Sequence, residues 1–125
     1  NTRRANAAKY DKIISRIDGL LAPRATPKAD PVFHLYTAQL NLPKFRCTRD
    51  EFVAALKAEG VPTAVHYPRP LPKQPALSAH DADDTPVADA LCNKVFCLPM
   101  HHDLTEDHFN TVGEALAKVA DAMKA

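Results

Sequence analysis

Apolar residues recur at helical spacing in three long stretches of the chain. Residues 3–21 place isoleucines and leucines three or four positions apart between charged residues, which predicts one amphipathic helix ended by Pro23. A second helix is predicted from a capping box, Thr48 with Glu51, to the stop signal Gly60. A third begins at the cap Thr105. Each apolar stripe predicts a helix with one face on a core.

Shorter elements separate these helices. Residues 32–40 are rich in aromatic and branched side chains and predict the longest strand, with His34 as a core or sheet-face histidine. Residues 62–67 and 95–98 predict two more strands, and a short helix is expected from Asp84 or Thr85 with Pro86 at its first position. Residues 24–31 read as a linker and the acidic run 78–84 as an exposed loop.

Helix and strand alternate along the chain, which predicts an α/β (α+β) fold. The economical arrangement is a small three- to four-stranded sheet covered by helices. With 125 residues, 46% apolar and 25% charged, the chain has the composition of one globular domain.

The net charge and the cysteines limit the classes of partner and the compartment that we expect for this protein. A formal net charge of +1 offers no basic patch for nucleic acid or an anionic membrane. No apolar run approaches the ~20 residues that span a bilayer, and the first residues lack the apolar core of a signal peptide. The three cysteines have no metal-binding spacing and suggest reduced thiols. We therefore expect a cytoplasmic protein without nucleic-acid or membrane partners.

The segment 60–77, GVPTAVHYPRPLPKQPAL, carries the best candidate site. Its prolines fix the backbone and lack the amide donor, so the chain beyond residue 67 must leave the sheet as a rigid extended segment. His66 and Tyr67 stand where it departs, and polar side chains on a rigid strand end are a common way to build a site. They are also compatible with half-buried strand-end residues whose polar tips are satisfied.

A second polar cluster consists of His101, His102, Asp103 and His108. Adjacent histidines on an extended segment point in opposite directions and do not easily reach one ion. A small metal hydrolase built on this cluster is the weakest of the functions considered.

Three separated segments resemble the DegT/DnrJ/EryC1/StrS family of pyridoxal-phosphate-dependent sugar aminotransferases. Segment 60–77 resembles the family's strand and following loop, and residues 95–101 followed by 104–106 resemble its LPMHPxLTEE segment. The first helix is similar to the one that leaves the family's large domain, on the residues Arg4, Asn6, Ala7 and Tyr10.

The resemblance implies the small C-terminal domain of a fold-type-I aminotransferase. Residues 1–23 would be the linking helix from an N-terminal large domain missing from this chain, and residues 24–125 the C-terminal small domain. The chain begins without methionine inside a predicted helix, as a piece would. Removal of a large domain should expose apolar residues along the first helix, around Ile13, Ile17 and Leu20.

The complete enzyme implied by the resemblance is a homodimer that moves an amino group from an amino acid, glutamate, to a nucleotide-linked keto sugar. A UDP-linked 3-keto or 4-keto sugar for surface polysaccharides fits the segment PTAVHYPRPL. The family's small domain gives a His-Tyr pair to the substrate side of the cleft, here His66 and Tyr67, and Arg69 would add charge. The chain departs from the family pattern at Pro72-Lys73 and at His102-Asp103.

No catalytic residue is expected in the chain itself. Pyridoxal phosphate needs a desolvated Schiff-base lysine, and the lysines here lie on polar helix faces, loops or termini. We expect the fragment alone to bind no pyridoxal phosphate and to be inactive. The alternative function is a truncated stand-alone interaction module without catalysis.

Overall fold

The computed structural model describes residues 2–80 and 83–125. Within them the chain forms seven regular elements, namely α1 (Thr2–Ile14), β1 (Leu20–Leu21), β2 (Tyr36–Leu40), α2 (Arg49–Ala58), α3 (Pro86–Cys92), β3 (Val95–Leu98) and α4 (Glu106–Ala122). Short 3₁₀ turns occupy Leu42–Lys44, Leu71–Lys73 and Pro75–Leu77. None of the described helices is long and apolar enough to cross a bilayer.

The strands form one antiparallel sheet in the order β1-β2-β3. Leu20 pairs with Leu40, and Tyr36 pairs with Leu98. Because side chains alternate along a strand, these four residues share one face of the sheet with Ala38 and Phe96. The predicted α/β fold with a small sheet covered by helices is confirmed.

The core lies between this face and the helices α1, α2 and α4. The Tyr10 ring on α1 stands 5.0 Å from the Tyr36 ring and 4.9 Å from the Phe109 ring of α4, measured between centroids. Phe52 of α2 packs 5.6 Å from Phe96 in the same way. All five side chains are almost fully buried, so aromatic packing joins the helices to the sheet.

The predicted first helix is too long at its C-terminus. It ends at Ile14, and Leu20 and Leu21 pair with β2 instead. Gly19 makes the turn possible with a φ of +92°, and its carbonyl accepts the Asn41 amide at 2.8 Å. The apolar spacing predicts a helix through Leu20 because the turn after α1 brings Leu20 to the core, as a longer helix also would.

The strand predicted at 32–40 begins only at Tyr36. Phe33 has a left-handed φ of +50°, which breaks the extended conformation. Arg3 donates to the carbonyl of His34 at 2.8 Å, and Arg4 donates to that of Pro31 at 3.1 Å. Contacts from α1 therefore replace sheet pairing, and His34 is exposed rather than in the core or on a sheet face.

The strand predicted at 62–67 is reduced to one bridge between Ala64 and Cys97. Pro62 and Pro68 lack the amide donor that a longer ladder would need. The acidic loop predicted at 78–84 is exposed at residues 78–80 and 83–84, and residues 81 and 82 lie outside the described part.

The helix caps follow the sequence closely. The Thr48 and Glu51 box is confirmed, with the Glu51 amide donating to Thr48 Oγ1 at 3.3 Å and the Thr48 amide to Glu51 Oε2 at 2.7 Å. Thr85 precedes α3 as predicted, although its hydroxyl does not cap the helix. Gly60 takes the left-handed conformation, with a φ of +84°, as its stop signal predicts.

The predicted exposed stripe on the first helix is wrong. Leu20 is buried, and Ile13 and Ile17 pack half-buried against the core. Residues 2–21 therefore contribute α1 and β1 to the same core as the rest, while the division into a linking helix (residues 1–23) and a small domain stays a prediction. Large exposed apolar side chains occur elsewhere, chiefly Val32, Tyr67, Leu71 and Val87.

Candidate functional site

The segment that carries the candidate residues begins at the bridge to β3. The Ala64 amide donates to the Cys97 carbonyl at 3.2 Å, and the Cys97 amide donates back at 2.7 Å. Residues 66–77, called the arm from here on, follow this bridge. The arm includes two 3₁₀ turns and four prolines, so its shape is set by its own backbone.

His66 and Tyr67 open the arm on the solvent side. Their peptide bond is cis, and their rings lie 5.9 Å apart with planes inclined at 71°. The Tyr67 side chain is 71% exposed, and His66 and Arg69 are exposed as well. These residues are therefore not the half-buried strand-end residues of the second interpretation.

A groove of about 600 Å³ lies between the arm and α3. Its floor is the sheet face opposite the core, represented by Thr37 and Val95. One wall carries the arm residues His66, Tyr67, Arg69, Pro70, Leu71 and Gln74, and the other carries Ala88, Leu91 and Cys92 of α3. The structure thus brings all three candidate residues, His66, Tyr67 and Arg69, to one groove.

The groove combines an apolar body with a few polar groups at its rim. Pro70 is buried and anchors the arm, whereas Leu71 is 72% exposed. The Arg69 guanidinium forms no hydrogen bond or ion pair with any described residue. A concave apolar surface with a free cation, a phenol and an imidazole is the usual composition of a small-molecule site.

The α3 wall was missed by the sequence reasoning. The sequence predicts this short helix but not its place beside the arm, and in the structure α3 has no buried residue and Val87 is 74% exposed. Nothing in the local pattern distinguishes an apolar helix face that lines a groove from one that lines a core.

The histidines of the second polar cluster make different contacts. His108 is the third residue of α4, and its Nδ1 accepts the Thr105 amide at 3.1 Å in a capping box. His102 lies 3.4 Å from Asp103, and the rings of His101 and His108 are 6.5 Å apart. Across residues 2–80 and 83–125, no three histidine, cysteine or acidic side chains are placed to hold a metal ion.

Comparison with known proteins identifies the family. Residues 1–117 match the model of the DegT/DnrJ/EryC1/StrS aminotransferase family. The chain belongs to this family. The match includes α1, the arm and β3, which carry the three segments of the sequence resemblance.

Two relatives within the family act on UDP-linked sugars according to their names. The UDP-2-acetamido-2-deoxy-3-oxo-D-glucuronate aminotransferase of Pseudomonas aeruginosa is 39% identical over 99 residues, covering 79% of this chain and 25% of that protein. A UDP-N-acetyl-3-dehydro-alpha-D-glucosamine 3-aminotransferase of Acidithiobacillus ferrooxidans is 32% identical over 116 residues, covering 93% and 30%.

A solved structure of the family has the same fold. DesV of S. venezuelae, solved in complex with a ketimine intermediate, superposes with a TM-score of 0.83 at 30% identity. The match covers 95% of this chain and 31% of that one. The chain therefore spans between a quarter and a third of the length of these family members.

The lysines of the chain are exposed or half-buried, which bears on the family's cofactor, pyridoxal phosphate. A Schiff-base lysine must lose its proton near neutral pH, which burial or a neighbouring cation favours. All lysines lie among the described residues; Lys9 and Lys94 are half-buried and the others are exposed. Lys73 pairs with Asp89 at 2.6 Å, and this hydrogen bond raises the pKa of its amine, the opposite of what the chemistry needs.

Proposed function

We propose that this chain is part of a pyridoxal-phosphate-dependent sugar aminotransferase. The complete enzyme would transfer an amino group from an amino acid, glutamate, to a keto group on a nucleotide-linked sugar. The observation that carries this proposal is the family match over residues 1–117. The two UDP-sugar relatives favour a UDP-linked 3-keto sugar and a role in surface-polysaccharide biosynthesis.

In this proposal the groove forms part of the substrate side of the active site. His66 and Tyr67 would donate hydrogen bonds to hydroxyl or phosphate oxygens of the nucleotide sugar, and Arg69 would pair with the diphosphate. The exposure of all three side chains supports these roles, as does the Arg69 guanidinium, which has no partner among the described residues. Apolar residues of the floor and walls would exclude water around the sugar.

Pyridoxal phosphate would be attached outside this chain. When bound, the cofactor accepts the amino group from the donor and passes it to the keto sugar. Because no lysine here is buried, we infer that the Schiff-base lysine belongs to the part of the longer protein represented by the remaining length of the relatives. A division at residue 23 into linking helix and small domain, and a homodimer, belong to the same proposal.

An activity assay on the complete protein tests this proposal. Purified protein with pyridoxal phosphate and glutamate is incubated with a UDP-linked 3-keto sugar, and the amino sugar is detected by its mass. A dTDP-linked 4-keto sugar and other amino donors serve as comparisons. Failure to aminate either sugar with any donor, by protein that holds the cofactor, would refute it.

The second candidate is an interaction module without catalysis. The exposed side chains of Tyr67 and Leu71, which line the same groove, favour it, since clustered apolar residues often mark interfaces. The same assay separates the two, because a module gives no amino sugar under any of these conditions.

A further inference from the structure

An ion pair joins the two walls of the groove. Lys73 Nζ on the arm lies 2.6 Å from Asp89 Oδ1 on α3. Lys73 directly precedes the groove residue Gln74, and Asp89 directly follows the groove residue Ala88. The Thr85 hydroxyl, 3.5 Å from Asp89 Oδ2, orients the carboxylate from the other side.

Apart from this ion pair, few contacts set the distance between the arm and α3. Beyond Ala64, the backbone hydrogen bonds of the described arm residues are made within residues 70–80, as in Lys73 to Pro70 at 3.0 Å and Leu77 to Gln74 at 2.9 Å, and none reaches α3. The prolines have no amide to offer to a neighbouring element. The position of the arm against α3 therefore rests on side-chain contacts, of which this ion pair is the charged one.

A further contact links the Lys73–Asp89 ion pair to the candidate residue Arg69. The Gln74 side-chain amide donates to the Arg69 carbonyl at 3.2 Å, which closes the arm on itself between these two residues. A shift of the 3₁₀ turn at Leu71–Lys73 would therefore carry Arg69 with it. Through Pro68, a rigid residue, the same shift would reach Tyr67.

We propose that Lys73 and Asp89 are positioning residues that set the width of the groove, and thereby its fit to a nucleoside diphosphate group. This inference rests on the proposed function, because it assumes that the groove receives the nucleotide-linked substrate. Neither side chain is required to touch the ligand. The hydrogen bond to Asp89 raises the pKa of the Lys73 amine, and the nearby Asp84 charge also contributes, so this amine is charged at neutral pH.

The expected effect is modest. Exposed ion pairs shift an equilibrium by up to about fivefold, and Lys73 and Asp89 are partly exposed. Lys73→Met and Asp89→Asn should each weaken binding of UDP or dTDP by about twofold to fivefold and raise KM for the keto sugar similarly. The half-reaction with the amino donor should be unchanged. Asp84→Asn, which removes only the more distant charge, should have a smaller effect.

The test uses the complete enzyme, with UDP and dTDP as calorimetric probes. The charge exchange Lys73→Asp with Asp89→Lys should recover part of the lost affinity. Lys118→Met is the matched control, because Lys118 on α4 forms a similarly exposed pair at 2.7 Å with Glu59, the C-cap residue of α2. Raising the salt concentration should weaken diphosphate binding in all forms of the enzyme and reduce the difference in affinity between the native enzyme and the variants.

Hydrogen exchange on the ligand-free enzyme supplies a second readout. Loss of the ion pair should speed exchange of the Gln74 and Leu77 amides, with no change in α4. Unaltered nucleotide affinity in Lys73→Met, or an equal loss in Lys118→Met, would overturn the positioning role. If the native enzyme aminates keto sugars and these variants match it, only this inference is refuted. If the native enzyme neither binds the probes nor aminates keto sugars, the proposed function is refuted as well.

Discussion

Ala64 and Cys97 exchange two backbone hydrogen bonds, of 3.2 and 2.7 Å, two residues before His66. Cys97 is buried in the centre of β3, so the bridge fixes the point from which the arm departs. Beyond it, prolines prevent further pairing with the sheet. The site residues thus stand on a fixed origin, while the rest of the arm depends on side-chain contacts with α3.

The residue before this bridge offers a stability test. The Thr63 hydroxyl is buried and has no hydrogen-bond partner among the described residues. A buried unsatisfied polar group costs about 1–3 kcal/mol, so Thr63→Val, which keeps the shape, should raise the free energy of unfolding by about 1 kcal/mol. Urea unfolding measures the difference. Thr37→Val is the control, since that hydroxyl contacts Cys97 Sγ at 3.4 Å and its loss should stabilise nothing.

Two glycines with left-handed backbones should respond differently to alanine. A Cβ on Gly60 meets no atom within 4 Å, so Gly60→Ala should cost only the backbone term, about 1–2 kcal/mol. A Cβ on Gly19 would lie 2.6 Å from the Phe45 ring, which is buried. Displacing that ring adds about 1–3 kcal/mol. Urea unfolding should therefore rank Gly19→Ala well below Gly60→Ala, and equal losses would contradict the packing around Phe45.

Two buried tyrosines predict a loss of stability at alkaline pH. Burial raises the pKa of Tyr10, and burial together with the 2.6 Å hydrogen bond to Asp11 raises that of Tyr36. In the unfolded chain both ionise near pH ~10, whereas in the folded chain they stay neutral to higher pH. The folded state then binds more protons, so its stability is intact below pH ~10 and falls above it.

The slope of the unfolding free energy against pH shows whether these tyrosines cause the loss of stability. Each tyrosine contributes about 1.4 kcal/mol per pH unit above pH ~10 until its folded pKa is reached. Unfolding free energies at several alkaline pH values should fall less steeply in Tyr36→Phe and in Tyr10→Phe than in the native protein. A slope unchanged by both substitutions would show that other groups, such as lysines, dominate.

Much of the fold follows from local signals in the sequence. The Thr48 and Glu51 capping box and the stop at Gly60 are determined by residues within a few positions of each other, and both are confirmed. The end of α1 is not local. Leu20 leaves the helical spacing because Leu40, twenty residues later, offers it a strand partner.

In the candidate site, too, some features follow from local sequence and others depend on distant residues. The prolines after Tyr67 predict the rigid arm directly, and the arm carries the predicted candidates. The opposite wall could not be predicted, because Leu91 and Ala88 become groove residues only when α3 lies beside the arm. The pairing of Lys73 with Asp89 likewise depends on tertiary structure, since sixteen positions separate them.

The roles proposed for His66 and Tyr67 are tested by kinetics of the complete enzyme. Tyr67→Phe keeps the ring and removes the hydroxyl, and His66→Asn keeps polarity and removes the imidazole. Losing one hydrogen bond to a charged group costs about 1.5–3 kcal/mol, equivalent to about a tenfold to hundredfold loss in kcat/KM. That loss should appear with the keto sugar, while the half-reaction with the amino donor remains close to normal.

Stopped-flow measurement of the two half-reactions distinguishes substrate contact from a purely structural role. Both side chains are exposed, so their replacement removes little buried surface and should leave the melting temperature nearly unchanged. A structural role predicts instead that both half-reactions decline together with stability. Ser15→Ala is a suitable control, because its exposed hydroxyl bonds only the Lys12 carbonyl, on α1 and outside the groove. Parallel losses in both half-reactions would therefore assign His66 and Tyr67 to the scaffold of the arm.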